Sequence, residues 1–430
     1  MNLATMRKLD RWLGVPLCGA LTALRALARV VGTPRPRPVR RILFVKLAEQ
    51  GSTVLAASAL RRAEQLVGRE HLFILVFEEN RFIIDMLGII LPENVITIQT
   101  KGVLPTLRNT LGAVRRVRKL KVDAAIDLEF FARSTAALSY LSGAQTRVGF
   151  HAFQGEGPYR GNLMTHRLRF NPHMHAAQTF RTLVDAIEQP AKPLPTSPLR
   201  VPDADEPPPQ FVPSELELAR VTALLPHGSG ARTPLVLLNA NCSDMIPLRA
   251  WPRERYVDLA QRLLAARPDV IIGLTGGPGE ATQVQQLADE IASDRCVMLA
   301  GRTSLRELLV LYSLADVLVT NDSGPAHFAT MTPIDIVVLF GPEHPSLFAP
   351  RGPRSHVMWA GLACSPCVSA LNNRNSICRN NLCMQAIETQ QVLEQVLSIV
   401  RSRAANDGAA TTTEWKYAPH TTQLRVLNAT

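Results

Sequence analysis

The stretch Ala315-Asp316-Val317-Leu318-Val319-Thr320-Asn321-Asp322-Ser323-Gly324-Pro325-Ala326-His327-Phe328-Ala329 is followed by Asp335 to Phe340, reading Asp-Ile-Val-Val-Leu-Phe. The two apolar runs predict short buried strands, and the polar turn between them predicts a helix that starts at a strand's carboxyl end. In an open parallel sheet, ligands collect there, because the helix start offers unpaired N–H groups and the positive end of its dipole. Asp322 and Ser323 are N-cap residue types, Gly324 lets a ligand approach the backbone, and Pro325 suits the first helical turn. An anion site with a carboxylate beside it is one reading; a plain capped helix is the other.

The run Ala315 to Pro350 adds Leu339-Phe340-Gly341-Pro342-Glu343-His344-Pro345 to that turn. Taken together it resembles the C-terminal half of glycosyltransferase family 9, the lipopolysaccharide heptosyltransferases. More loosely, the resemblance runs from about Arg41 to about Val400. It implies an α/β chain of GT-B fold: two Rossmann-like domains with parallel sheets facing across a cleft, the second holding a nucleoside-diphosphate sugar and the first the acceptor.

The chain has 430 residues, 46% hydrophobic and 19% charged, which suits two α/β domains with cores of their own. A net charge of +11 points to phosphorylated substrates, anionic lipid or nucleic acid. With 5% aromatic residues and no basic–aromatic interleaving, nucleic acid is the weakest of the three. Seven cysteines, an odd number, do not form a secreted disulfide framework, so a cytoplasmic setting is expected.

Residues 1–40 carry Arg7, Lys8 and Arg11, an uncharged run from Trp12 to Leu24, then Arg25, Arg29 and a Pro-Arg-Pro-Arg-Pro stretch. The uncharged run is shorter than the roughly 20 residues a spanning helix needs. An interfacial helix on an anionic inner leaflet is expected, making the protein peripheral on the inner membrane. A helix packed on the first domain is the alternative. A signal peptide competes through Ala26-Leu27-Ala28, with Asp10 and Arg25 counting against it.

From residue 41 to 189 strand and helix signals alternate, which argues for a parallel sheet. Ile42 to Val45 reads as a strand, Ala48-Glu49-Gln50-Gly51-Ser52 as a loop, and Thr53 to Val67 as a helix. From Lys101 to Lys121 there are seven bases and no acid. Arg108, Arg115 and Lys119 share one helical face, opposite Leu107, Leu111, Val114 and Val117. That face is either solvated or, given the phosphorylated substrates the resemblance implies, acceptor-binding together with Arg133.

Nine prolines between Pro190 and Pro213 predict an interdomain linker over 190–232. In the second domain, 233–402, Leu235 to Leu238 reads as a strand ending in Asn239. Arg249 precedes Trp251-Pro252, where the resemblance places a basic residue on the donor; a guanidinium suits a diphosphate. Gly276, Gly277 and Glu280 form a glycine-rich turn that is a fair nucleotide contact, although Glu280 needs no ligand in a helix's first turn. Cys364, Cys367, Cys378 and Cys383 are crowded enough for structural zinc or an iron–sulfur cluster, with buried thiols or a redox disulfide equally open. Residues 403–430 read as a disordered tail.

The resemblance implies an inverting transfer of a heptose or related sugar to a lipopolysaccharide or other envelope-glycan acceptor, with no cofactor required. Asp322 would bind sugar hydroxyls, His327 would lie near the phosphates, and the Ser323–Gly324 backbone at the helix start, with Pro325 in its first turn, and Arg249 would take up leaving-group charge. Family members usually carry Gly-Asp in the first loop, the Asp serving as base, whereas this chain reads Gly51-Ser52. A serine hydroxyl does not serve alone as a base near neutral pH, so Ser52 is expected to cap the helix from Thr53, and Glu49 is the candidate replacement. Asp127 and Glu129 are further alternatives. The same departure supports a rival reading, a non-catalytic GT-B protein that binds a nucleotide sugar or glycan in envelope assembly.

Overall fold

A computed structural model describes residues 8, 10–31, 37–151, 158–198, 200–204, 206–226, 233–242, 246–407 and 424–426. The chain divides into two units, residues 1–208 with 368–375, and residues 209–367 with 376–430. Arg7, part of the Pro-Arg stretch and most of the tail lie outside the described residues.

Runs such as Ile42-Leu43-Phe44-Val45 and Leu235-Val236-Leu237-Leu238 are apolar on both faces, as strands covered by helices on both sides must be. All eight residues are buried.

The first unit holds β1 (Ile42–Val45), β2 (Leu72–Phe77), β3 (Val95–Ile98), β4 (Ala124–Asp127), β5 (Thr146–Phe150) and β6 (His166–Leu168). They form one parallel sheet in the order β3-β2-β1-β4-β5-β6. Its helices are α1 (Gly14–Val31), α2 (Gln50–Leu55), α3 (Ala57–Val67), α4 (Arg81–Leu87), α5 (Val103–Leu120), α6 (Arg133–Leu141) and α7 (Ala176–Asp185). The chain steps one way along the sheet from β1 to β3 and the other way from β3 through β4 to β5. Right-handed crossovers therefore put α5 and α6 on one face and α2, α3 and α4 on the other.

The second unit holds α8 (Glu215–Thr222), β7 (Leu235–Asn239), α9 (Arg253–Ala266), β8 (Ile271–Leu274), α10 (Ala281–Ile291), β9 (Cys296–Met298), α11 (Leu305–Leu314) and β10 (Val317–Asn321). After these come α12 (Gly324–Ala329), β11 (Asp335–Phe340), α13 (Pro345–Phe348), β12 (Ser355–Trp359), α14 (Leu382–Gln385), α15 (Thr389–Asp407) and β13 (Leu424–Val426). The strands form a parallel sheet in the order β13-β12-β11-β10-β7-β8-β9.

Four expectations change. The helix expected from Thr53 is two, α2 and α3, and α2 already begins at Gln50. Leu107 and Leu111 face outward, because α5 buries only Ala113 and Val117. Part of the expected linker is α8, whose Ser214–Glu217 capping box satisfies the helix start and which packs on α11. The expected disordered tail contributes its first residues to α15 and supplies β13, paired with β12.

Candidate functional site

The strand order of the second sheet reverses between β7 and β10, and a ligand crevice opens at the carboxyl ends of strands at such a point. Asn321 closes β10 there, fully buried. Its Oδ1 accepts the Trp251 N–H at 3.0 Å and the Tyr256 hydroxyl at 3.2 Å, while its Nδ2 donates to the carbonyls of Ala240 at 3.3 Å and Asn241 at 3.1 Å. One amide thereby fixes the loops that follow β7 and precede α9.

Those bonds place Arg249 against the next residue of the β10 turn. Arg249 Nε lies 3.1 Å from Asp322 Oδ2, its Nη2 donates to Glu343 Oε2 at 3.0 Å, and its Nη1 donates to the Asp322 carbonyl at 3.3 Å. Asp322 and Glu343 are almost wholly buried and the Arg249 side chain is 16% exposed. Two buried carboxylates are thus held by one cation. Glu343 was legible only as part of a quoted stretch; its role as the second anchor of Arg249 depends on β11 delivering it to the same strand ends.

The other expected donor residues separate into open and occupied groups. Asn239 is buried and donates to Thr275 Oγ1 at 3.1 Å, so it ties β7 to the end of β8. Glu280 accepts the Gly277 N–H at 2.7 Å and closes its own turn, as a first-turn acid does. Gly276 leaves room for a neighbour: a Cβ there would come within 2.6 Å of Asn241 Nδ2 and push that side chain aside. Ser323 sits at the N-cap position of α12, yet its hydroxyl donates back to the Asn321 carbonyl at 3.1 Å and makes no capping bond. Pro325 occupies the first turn beside Gly324, and His327 is buried in the same helix.

In the first unit the strand order reverses between β1 and β4. Glu129, just past β4, accepts from Lys46 Nζ at 2.9 Å and from the Ala48 N–H at 3.0 Å, which pins the loop after β1. Asp127 is completely buried, pairs with Arg160, and accepts from Thr135 Oγ1 at 2.9 Å. Burial pushes its carboxyl up to about 6 against the pull of Arg160. Both acids hold the loop and strand ends of this unit.

Glu49 stands in the pinned loop. Its backbone is left-handed, φ 65° and ψ 79°, a conformation that side chains other than glycine adopt at a cost of about 1–3 kcal/mol. The side chain is 20% exposed, pairs with Arg374 from the 368–375 segment of the same unit, and accepts from Ser52 Oγ at 3.2 Å. Ser52 is the third residue of α2 and caps nothing, contrary to expectation; its hydroxyl also reaches the Glu49 carbonyl at 3.0 Å. Arg374 carried no signal in the sequence, because its place follows from a loop more than three hundred residues away along the chain.

Arg133 is largely buried, and its amide donates to Asp10 at 3.0 Å, as does the Ser134 amide at 2.8 Å. Asp10 therefore caps α6, and Arg133 is drawn into that cap rather than toward an acceptor. Arg108, Arg115 and Lys119 are exposed on α5. The metal reading of Cys364, Cys367, Cys378 and Cys383 finds no support: among the described residues no three metal-capable side chains come together. Cys378 Sγ donates to the Asn380 carbonyl at 3.0 Å, Cys367 accepts from Ser376, and burial pushes the Cys383 thiol up to about 11.

Two Rossmann-like units, one with a guanidinium fixed at its strand-order reversal, define a GT-B glycosyltransferase fold. A solved ADP-heptose lipopolysaccharide heptosyltransferase II from Escherichia coli superposes with a TM-score of 0.63 at 18% identity, covering 84% of this chain and 99% of that one. A family 9 glycosyl transferase from Veillonella parvula gives 0.65 at 19% identity, covering 84% and 98%. The family model for glycosyltransferase family 9 (heptosyltransferase) matches residues 111–377, more than half of the sequence, and the chain belongs to that family. It is 29% identical over 113 residues to lipooligosaccharide heptosyltransferase 2 of Haemophilus influenzae. That match covers 26% of this chain and 33% of the relative, and the chain spans about a third to a half of the length of the curated relatives it matches.

Proposed function

We propose that the protein transfers a heptose, or a closely related sugar, from an ADP-linked donor to a lipopolysaccharide-type acceptor with inversion at the anomeric carbon. The observation that carries this reading is Arg249, fixed between Asp322 and Glu343 at the switch point of the second sheet in a family 9 chain. Nη1 and Nη2 each donate one N–H, to the Asp322 carbonyl and to Glu343, and Nε is buried in the ion pair with Asp322, which leaves the second N–H of each terminal nitrogen for the oxygens of a diphosphate. As the sugar–oxygen bond breaks, negative charge grows on the leaving diphosphate, and a cation already held in place stabilises it without reorganising. The ADP-heptose reading of the donor draws on what the solved Escherichia coli relative is described as using.

The acceptor hydroxyl must lose a proton as it attacks. Glu49 is the carboxylate that the family's missing aspartate leaves in this loop, and Ser52, at the aspartate's position, hydrogen-bonds to it. In this reading Glu49 takes the proton and Ser52 orients its carboxylate. The steps need no metal ion. The test is a thermal-shift and calorimetry panel of ADP-, UDP- and GDP-sugars, followed by a product assay on a deacylated core-oligosaccharide acceptor. Stabilisation by ADP-sugars with turnover is the expected result; binding without turnover favours the rival reading of a sugar-binding protein, and no binding removes both.

A further inference from the structure

We propose that the first unit docks on an anionic bilayer through two helices on one face of its sheet, α1 and α5, independently of how the sugar-transfer reading fares. By length and composition the helix from Asp10 to Val30 is long and apolar enough to cross a membrane, beyond what the shorter uncharged run suggested. One of its faces is committed to protein. Cys18 and Leu21 are buried against Ala136, Ala137, Leu163 and Met164, and buried Arg25 donates to the Met164 carbonyl at 2.9 Å. An arginine bonded to the unit's own backbone ties α1 to the 162–164 segment, while Cys18 and Leu21 pack on α6.

At 100° per residue, Trp12, Leu27 and Val30 fall on the face opposite Cys18 and Leu21, and Leu13 and Leu24 fall on its flank. All five are more than half exposed, Trp12 at 75% and Val30 at 86%. Lys8, Arg11 and Arg29 flank them at the two ends, all exposed. The one acid of this stretch, Asp10, is taken up by the start of α6.

A second helix repeats the pattern. α5 exposes Leu104, Leu107 and Leu111, and Arg108, Arg115 and Lys119 line the same outward side. Its neighbours Arg116 and Arg118 are spent on the backbone carbonyls of Glu93 and Leu141. α5 contacts α6, and α6 contacts α1, so the three lie on one face of the sheet. Large apolar side chains exposed among bases, with no acid between Lys101 and Lys121, fit a surface that is oily inside and anionic outside. A neutral protein partner would not call for that excess of positive charge.

The test is co-sedimentation of the full chain with vesicles of phosphatidylcholine alone or mixed with phosphatidylglycerol. The wild type should partition onto the mixed vesicles, lose binding as salt rises, and leave the pellet in alkaline carbonate. The triple variants Trp12→Ser/Leu24→Ser/Leu27→Ser and Leu104→Ser/Leu107→Ser/Leu111→Ser should each weaken partition about tenfold or more, with an unchanged melting midpoint. Equal partition of either variant and wild type overturns the two-helix surface, and so does equal binding to neutral vesicles. Resistance to carbonate would show α1 crossing the bilayer and overturn it as well. If Arg108→Glu/Arg115→Glu/Lys119→Glu loses affinity for a soluble phosphorylated acceptor while vesicle binding persists, the α5 face belongs to the acceptor and the proposal falls.

Discussion

Arg249 Nε lies 3.1 Å from the buried carboxylate of Asp322, although 73 residues separate them. With Glu343 on the other side of the guanidinium, the three side chains carry one positive and two negative charges. Breaking a buried pair by deleting one partner typically costs about 3–5 kcal/mol, because the remaining charge stays desolvated. Arg249→Ala should therefore lower the melting midpoint as well as abolish donor binding. Arg249→Lys keeps the charge but has no fork to span both carboxylates, so it should fold and bind the donor about tenfold or more weakly. Calorimetry and thermal unfolding on the two variants separate these effects, and wild-type donor affinity in Arg249→Lys would remove the arginine from the donor site.

If Asp322 faced solvent, as a carboxylate in a polar turn usually does, it would be replaceable without harm to the fold. At 3% exposure it is not. Asp322→Ala should weaken donor binding and also destabilise the second unit, since Arg249 then keeps one carboxylate, Glu343, beside the backbone carbonyl of residue 322. Asp322→Asn, nearly the same shape, should fold better than Asp322→Ala and still bind the donor poorly. A melting midpoint equal to wild type in Asp322→Ala would contradict the pairing.

Glu49→Gln preserves the shape of the side chain and removes its ability to accept a proton. Turnover should fall about 10²–10⁴-fold, the usual contribution of a general base, with donor affinity preserved. Ser52→Ala should have a smaller effect in the same direction, since it removes an orienting bond and not the base. Full activity in Glu49→Gln rejects the assignment, and a wild type inactive toward every donor and acceptor pair favours the binding-protein reading.

Asp127 is predicted to matter for stability alone. It is completely buried beside Arg160, so Asp127→Ala should cost about 3–5 kcal/mol, measured by chemical denaturation. Replacing both members with apolar residues of similar volume should recover much of that loss. An Asp127→Ala protein as stable as wild type, yet inactive, would return the residue to the list of candidate bases.

Two parallel sheets, the turn at Asn321–Asp322 and family membership were legible in the chain because they are local. Apolar runs of four to six residues make strands wherever they fall, and a polar turn between them starts a helix without help from distant residues. The same locality explains the misreadings. Ser52 has the composition of a cap, but Glu49, in a left-handed conformation that no propensity favours, starts the helix earlier. Leu107 and Leu111 have the period of a core stripe, yet helical periodicity says only that a face is apolar, not what covers it. Four cysteines at close spacing suggest ligands, while metal geometry needs their sulfurs to converge.

What the tertiary structure decided was partnership. Glu343 beside Arg249, Arg374 beside Glu49, Arg160 under Asp127 and Arg25 on the Met164 carbonyl all join residues far apart along the chain. A buried charge must find its counter-charge or a carbonyl, but the sequence offers many of each. Which one it meets is set by the order of the strands, because strand order determines which loop ends share a sheet edge.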